Sequence, residues 1–439
     1  MQQTKNSGSA PTTSSILDAN AYQGRGADGT LVRRRADVLA SAYRLFYREP
    51  VQLVRGSGVH LYDADGAEYL DAYNNVAAVG HAHPRVAAAV ARQVATLTTH
   101  TRYLDAGLVG YAERLLATMP AALDRLVLTC TGSEANDLAL RAACAVTGGT
   151  GVIVSEEAYH GNTALVTGVS PSLGPGAPRG EHVWRVPVRE MAAAVAEALA
   201  EMSAAGVRPA ALLVDTVLSS DGVHPDVDGL AAATTAVRAA GGVLIADEVQ
   251  PGFARTGATF WGFERHGLDP ELVTMGKPMG NGLPVAGLAG RRSVLDALAA
   301  STPYFNTFGG THVSIAAASA VLDVIEDEQL QANAARVGHE FLTALREVAA
   351  RRALVGEVRG AGLYLGVDLR AAPGVDEPGT TTAADVINLM RRRRVLTSVC
   401  GPHGSTLKVR PPLPFSSGDV DRFCTELDAV LGELEAAAG

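Results

Sequence analysis

Between about residue 100 and residue 290, short apolar runs alternate with longer stretches rich in alanine and leucine. No other feature narrows the fold as much. The runs sit in "DRLVLTCTGSEAN", "TGVIVSEEAYHG", "PAALLVDTV", "GGVLIADEVQ" and "GLPVAGLAG". Between them "MAAAVAEALAEM" and "DGLAAATTAVRAA" carry helix-forming residues. Strands alternating with helices predict an α/β fold with a largely parallel sheet covered on both faces. In such a sheet the ligand lies beyond the carboxyl ends of the strands. The loops that leave these strands are therefore where chemistry is expected.

The flanking segments are read differently. "GVHLYDADGAEYLDAY" alternates apolar and polar residues about an Asp-Gly turn and predicts a hairpin. A helix is expected from Arg85 to about Leu97, and a long helical region over Val313 to Ala350. "GAGLYLGVDL" and "STLKVRPPLPF" read as strands, and "DVDRFCTELDAVLGELEAA" as a closing amphipathic helix. The expected organisation is a flexible tail over 1–30 and an N-terminal segment over 31–75 that joins the small domain. A large domain over 76–325 and a C-terminal small α+β domain over 326–439 complete it. The tail is polar and lacks the apolar core of a signal peptide.

Composition excludes several partners. A net charge of −9 gives no basic footprint for nucleic acid. No apolar run is long enough to span a membrane. Four cysteines without C-x-x-C spacing indicate neither a disulfide framework nor a zinc site, so no metal is expected and a cytoplasmic location is the default.

Several strand-end loops have unusual residues. In "TGSEAN", Gly132 lets backbone approach a ligand, Ser133 can cap the following helix, and free amides there attract phosphate. A plain capped turn explains the hexamer equally simply. "LIADEVQ" ends an apolar strand on Asp247 and Glu248, and a buried carboxylate needs a partner. A protonated ring nitrogen would serve, and so would a cap on the next element. Tyr159 in "YHG" can stack on a flat ring or belong to the core. Lys277 stands alone among small, apolar and turn-forming residues in "ELVTMGKPMGNGLP". It is not a nucleotide-binding lysine, because position 271 is Glu271 and position 278 is Pro278. "GAGLYLG" lacks dinucleotide-binding spacing, His81 and His83 have no third ligand, and Arg391 to Arg394 read as a solvated helix end. Taken together, the loops offer a phosphate anchor, a stacking ring, a partner for a pyridinium nitrogen and an amine. Those are the contacts that hold pyridoxal phosphate.

From about Leu39 onward the chain resembles the class III pyridoxal-phosphate aminotransferases of fold type I. The resemblance is carried in order by "GHAHP", "TGSEANDLALRAA", "AYHGNT", "IADEVQPGFARTG", "TMGKPMGNGLP", "NTFGGTHVS" and "RPPL". It implies that Lys277 forms the internal aldimine and later carries the proton. It implies that Asp247 pairs with the pyridinium nitrogen and that Gln250 bonds the ring's phenolic oxygen. Gly132 and Ser133 would bind the phosphate, and Tyr159 would stack, with His160 beside it. Thr307 would reach the phosphate of a neighbouring subunit, which implies a homodimer with its active sites at the interface.

Within the family the chain is similar to the subgroup of alanine–glyoxylate aminotransferase-like proteins and amino-alcohol phosphate phospho-lyases. Three departures stand out. Thr311 and His312 replace the usual Asn-Pro, and Lys408 stands where related enzymes bind a substrate carboxylate with arginine, while Ser220 replaces a gating glutamate. Lys408 and Arg410 are the expected contacts for an anionic substrate. The expected activity is transfer of an amino group between a primary amine or amino acid and an oxo acid or aldehyde. The alternative is elimination of phosphate from an amino-alcohol phosphate.

Overall fold

The computed structural model describes residues 20–22 and 29–438, so nearly all of the expected tail over 1–30 lies outside the described residues. The Asp-Gly hairpin forms as expected. Strands β1 (Leu53–Ser57), β2 (His60–Asp63) and β3 (Glu68–Asp71) pair antiparallel in sequence. The turn closes on the Asp63 carboxylate, which accepts from the amides of Asp65 and Ala67.

The alternating region builds a seven-stranded sheet from β4 (Arg125–Thr129), β5 (Gly151–Ser155), β6 (Val183–Val186), β7 (Pro209–Asp215), β8 (Val243–Asp247), β9 (Leu272–Met275) and β10 (Ala286–Gly290). Its order is β4-β10-β9-β8-β7-β5-β6. Pairs β9-β8, β8-β7, β7-β5 and β5-β6 are parallel, while β10 runs antiparallel to both neighbours. The physical reason lies in the connection from Gly276 to Val285, which is too short for a crossover helix and can only return antiparallel. Alternate residues serve opposite faces. Ile153, Leu212, Leu244 and Val273 enter one core, whereas Val154, Leu213, Ile245 and Leu272 enter the other.

A third sheet, in the order β11-β12-β15-β14, is formed by β11 (Val355–Ala361), β12 (Tyr364–Leu369), β14 (Ser398–Cys400) and β15 (Thr406–Val409). The short β13 (Val395–Leu396) instead pairs parallel with β3, so both ends of the chain share a sheet. Two expectations are corrected here. The long helical region divides into His312–Asp327 and Leu330–Arg351, because Gln329 between them is left-handed at φ 52°. "GAGLYLGVDL" is a hairpin turn with a strand on each side, turning at Gly362 with φ 52°. Arg391 and Arg392 do end a helix, yet they pair with Glu49 rather than with solvent alone. Among the described residues no helix is long and apolar enough to cross a membrane.

Gly338 shows how tightly the last domain is assembled. A Cβ there would meet the Gly362 carbonyl oxygen at 2.2 Å. Alanine is the better helix former by about 1 kcal/mol, but backbone overlap costs about 1–3 kcal/mol and wins. Gly338→Ala is expected to lower the melting temperature in a thermal scan by a few degrees. An unchanged or raised value would contradict the close approach.

Candidate active site

The strand ends converge. Thr129 ends β4, Ser155 ends β5, Asp215 ends β7, Asp247 ends β8 and Met275 ends β9. A cavity of about 190 Å³ opens among the loops beyond them. It is lined by Gly132, Ser133, Tyr159, His160, Asp247, Gln250 and Lys277 of the expected set, together with Thr131, Gly161, Asp215 and Val249. The parallel sheet thus brings seven separately read residues to one place.

The helix Gly132–Thr147 begins at this cavity. Its cap is Thr131 rather than Ser133: the Thr131 hydroxyl accepts from the Glu134 amide, and Glu134 Oε2 accepts in return from the Thr131 amide. Ser133 is left to accept from the Asn162 amide at 3.2 Å. The amides of the first turn have no acceptor within the helix, and the helix dipole adds partial positive charge there. An anion is favoured at this point.

Asp247 is buried, and its oxygens are held from four sides. His160 Nδ1 lies 2.7 Å and Asn136 Nδ2 2.9 Å from Oδ2. The Val249 amide donates to Oδ1 at 3.1 Å, with the Thr274 hydroxyl at 3.4 Å. Asn136 also donates to the His160 carbonyl and accepts from Thr274. His160 Nδ1 faces the carboxylate, while Nε2 is buried without a hydrogen-bond partner. Glu248, the next residue, faces elsewhere. It accepts from Thr216 and from the amides of Gly262 and Phe263, and burial pushes its carboxyl up to about 8. The aspartate cap weighed for this strand end is present as well, since Asp247 accepts from the Val249 amide.

Lys277 lines the cavity; Lys408 and Arg410 do not, although their charges reach it. Burial, and then the Arg410 guanidinium, lower Lys277 from 10.5 to about 8, against the opposing pull of Asp247 and Asp215. Lys408 is lowered further, to about 7, by burial and then by Arg410. Arg410 bonds Gln250 Oε1 and lies over the Tyr73 ring, 4.5 Å from its centroid. Tyr364 donates to the same Gln250 oxygen at 3.1 Å, so the Gln250 amide nitrogen is the group left to donate. Burial and then Asp247 raise the Tyr159 hydroxyl.

Thr307 does not join the cavity. It is exposed on a loop whose neighbour Asn306 is tied to Glu134. The replacements Thr311 and His312 have their own contacts: the Thr311 hydroxyl donates to Ser314 at 3.2 Å, and His312 pairs with Asp105 at 2.8 Å. His81 and His83 each take one carboxylate, Asp71 and Glu328. Among the described residues no group of three or more His, Cys, Asp or Glu is placed to hold a metal.

Sequence reading missed Asn136, Asp215, Tyr73, Val249, Thr274 and Tyr364. Only Asp215 carried a usable signal, an aspartate ending an apolar strand in "LLVD", as Asp247 does in "LIAD".

Comparison with known proteins supplies independent findings. Residues 46–431 match the family model described as aminotransferase class-III. The chain is 38% identical to the alanine–glyoxylate aminotransferase 2-like protein of Drosophila melanogaster, covering 93% of this chain and 88% of that one. It is 35% identical to ethanolamine-phosphate phospho-lyase homolog 1 of Caenorhabditis elegans, covering 95% and 97%. Among solved structures, a phospholyase from Arthrobacter in complex with phosphoethanolamine superposes with a TM-score of 0.89 at 42% identity, covering 92% and 99%.

The lowered Lys408 has a consequence for stability. Its folded pKa of about 7 lies below the ordinary 10.5, so the buried charge is a full penalty below about pH 7. The penalty fades as pH rises toward the ordinary value, where the unfolded chain also loses its proton. Lys408→Met is therefore expected to raise the melting temperature of the cofactor-free protein by a few degrees near neutral pH. The gain should shrink toward pH 10, and scans across that range would refute the assignment if it grew.

Proposed function

The chain belongs to the class III aminotransferase family, and from that premise we propose that Lys277 abstracts the proton from the amine-bearing carbon of a small anionic substrate. Its cofactor is pyridoxal phosphate. The donor set suits that group: the amine of Lys277, a buried carboxylate to hold a protonated ring nitrogen, and free helix amides for a phosphate. When bound, it supplies an aldehyde that condenses with amines and a ring that withdraws electrons. Asp247 would hold the ring nitrogen, Gly132 and Ser133 the phosphate, and Gln250 the phenolic oxygen. Tyr159 and Val249 would pack on the ring, while His160 orients Asp247.

The observation that carries the reading is the lowered Lys277 in the same cavity as Asp247. An amine with a pKa of about 8 is partly neutral at physiological pH and can accept a proton. Arg410, bonded to Gln250, and the buried Lys408 are suited to the substrate's anionic group. In the aminotransferase reading, a primary amine and an oxo acid or aldehyde exchange amino and carbonyl groups. The second reading is elimination: an amino-alcohol phosphate and water give an aldehyde, ammonia and phosphate. The Arthrobacter phospholyase, at 42% identity over nearly its whole length, favours the second.

The assay separates them. O-phosphoethanolamine is incubated with the enzyme and inorganic phosphate measured; amine donors are then offered with pyruvate or 2-oxoglutarate. Phosphate release without an oxo acid supports elimination, and oxo-acid-dependent amine transfer supports the first reading. In either case kcat is expected to rise with pH, because the base in the substrate-bound enzyme is the unprotonated amine. Lys277→Ala is expected to lose at least about a thousandfold, roughly 4 kcal/mol in barrier. Turnover unchanged by that substitution would end the proposal.

We also read the chain as a homodimer whose Thr307 serves the neighbouring site. Exposed Tyr103, Leu104, Phe305 and Phe308 support this, being apolar side chains on and near the Thr307 loop. Four unpaired cysteines support a reducing, cytoplasmic location, which cell fractionation would check. Light scattering is expected to give twice the chain mass, and Phe308→Asp to reduce it. A monomeric wild-type protein that retains its cofactor would refute the shared site.

A further inference from the structure

The segment that leaves β7 has an unfavourable backbone. Leu218 and Val223 both lie in the left-handed region, at φ 45° and 64°. Neither residue type adopts it readily, least of all a β-branched valine. Such a conformation persists only where its surroundings over-determine it. Here four anchors do so. The Asp215 carboxylate accepts from the amides of Val217 and Ser219 at 3.0 and 3.2 Å. The Asp221 carboxylate accepts from the Ser155 hydroxyl at 2.7 Å and the Glu157 amide at 2.9 Å. The Gly401 amide donates to the Ser220 carbonyl at 3.0 Å. From β11, Arg359 donates to the Gly222 carbonyl at 2.7 Å and the Val223 carbonyl at 2.9 Å.

The last anchor reaches the substrate end of the pocket. Arg359 is held by Asp368 of β12, at 2.5 and 2.8 Å, and Asp368 also accepts from Thr406 of β15. β15 carries Lys408, whose cross-strand neighbour on β12 is Gly366. A Cβ on Gly366 would meet the Gly222 carbonyl oxygen at 3.0 Å and Val223 Cβ at 3.1 Å. The segment and the Lys408 strand pair therefore form one body, and Arg359 is the joint between them. A planar guanidinium suits the task, since it grips a carboxylate and two carbonyls at once.

We propose that Arg359 is a specificity-determining positioning residue: by clamping segment 217–223 onto the strands that carry Lys408, it fixes the pocket wall that receives the substrate's anionic group. The inference rests on the functional reading above, in which Lys408 and Arg410 receive that group.

The test titrates the holoenzyme's visible absorbance with O-phosphoethanolamine and, separately, with ethanolamine. Arg359→Gln is expected to weaken the phosphorylated amine about tenfold and ethanolamine less than about twofold, a difference near the ~1.4 kcal/mol that a factor of ten represents. Arg359→Lys should not restore it, because a point charge cannot bridge the same groups. Amide hydrogen exchange over residues 217–224 should rise in Arg359→Gln. Thr406→Val, which removes a single hydrogen bond to Asp368, should shift selectivity the same way by about threefold, and it carries the test if Arg359→Gln does not fold. Equal weakening of both amines, or selectivity unchanged in these variants, overturns the proposal, as does unchanged exchange. A wild-type holoenzyme that responds to neither amine would refute the elimination reading instead, and the exchange measurement would still decide whether the clamp exists.

Discussion

Charge held away from bulk water is the constraint to which the rest of this structure answers. Lys277, Lys408 and Arg410 lie near Asp215 and Asp247, and burial disfavours the charged forms of Lys277, Lys408 and Asp215. The cations cannot all be satisfied by the two carboxylates. Lys277 and Lys408 accordingly sit at about 8 and about 7, each lowered by burial and by Arg410. A lone buried lysine would be a cost without a return. Near neutral pH both are neutral in part: Lys277 can then accept a proton, and an anion entering the pocket would favour the charged form of Lys408.

The fold makes that crowding possible. In a parallel array every strand delivers its carboxyl end to the same edge. Asp215 and Asp247 face each other in the β7–β8 register because the strands run side by side in the same direction. The Gly132–Thr147 helix starts at the same edge and adds unsatisfied amides. Burial, and then repulsion from Asp247, raise Asp215, and the amides of Val217 and Ser219 offset part of that cost. Asp247 is supported instead through Asn136 and His160, side chains fixed by a helix and by the β5 loop.

What was legible in the amino-acid sequence follows from range. The sheet could be read because strand and helix periodicity are local, and Lys277 and Asp247 because each breaks an apolar run at a strand end. The antiparallel course of β10 was written in the short link from Gly276 to Val285, though strand periodicity alone does not show direction. Asn136, Thr274, Tyr73 and Tyr364 escaped because their contacts join positions far apart in the chain, such as Asn136 with Asp247 and Tyr364 with Gln250. Ser133 was expected to cap its helix, but Thr131 does so; both have hydroxyls, and only the Glu134 reciprocal bond distinguishes them. Helix propensity missed the break at Gln329, because the residues on both sides favour helix.

The two chemical readings diverge at the far end of the pocket rather than at the base. Both need a proton removed beside the amine, and the role proposed for Lys277 serves either. An aminotransferase must receive two different substrates in turn, so its anion-binding wall has to tolerate both. A lyase needs to hold one phosphorylated amine until its phosphate departs. The wall here is built from a strained segment fixed by anchors on β5, β11 and the β14–β15 turn, with Ser220 where a charged gate would stand. Lys408 offers a compact charge rather than a planar fork, which favours a phosphate's three-fold oxygens over the two coplanar oxygens of a carboxylate. A rigid wall and a point charge argue for one anionic partner, and that is the requirement of elimination.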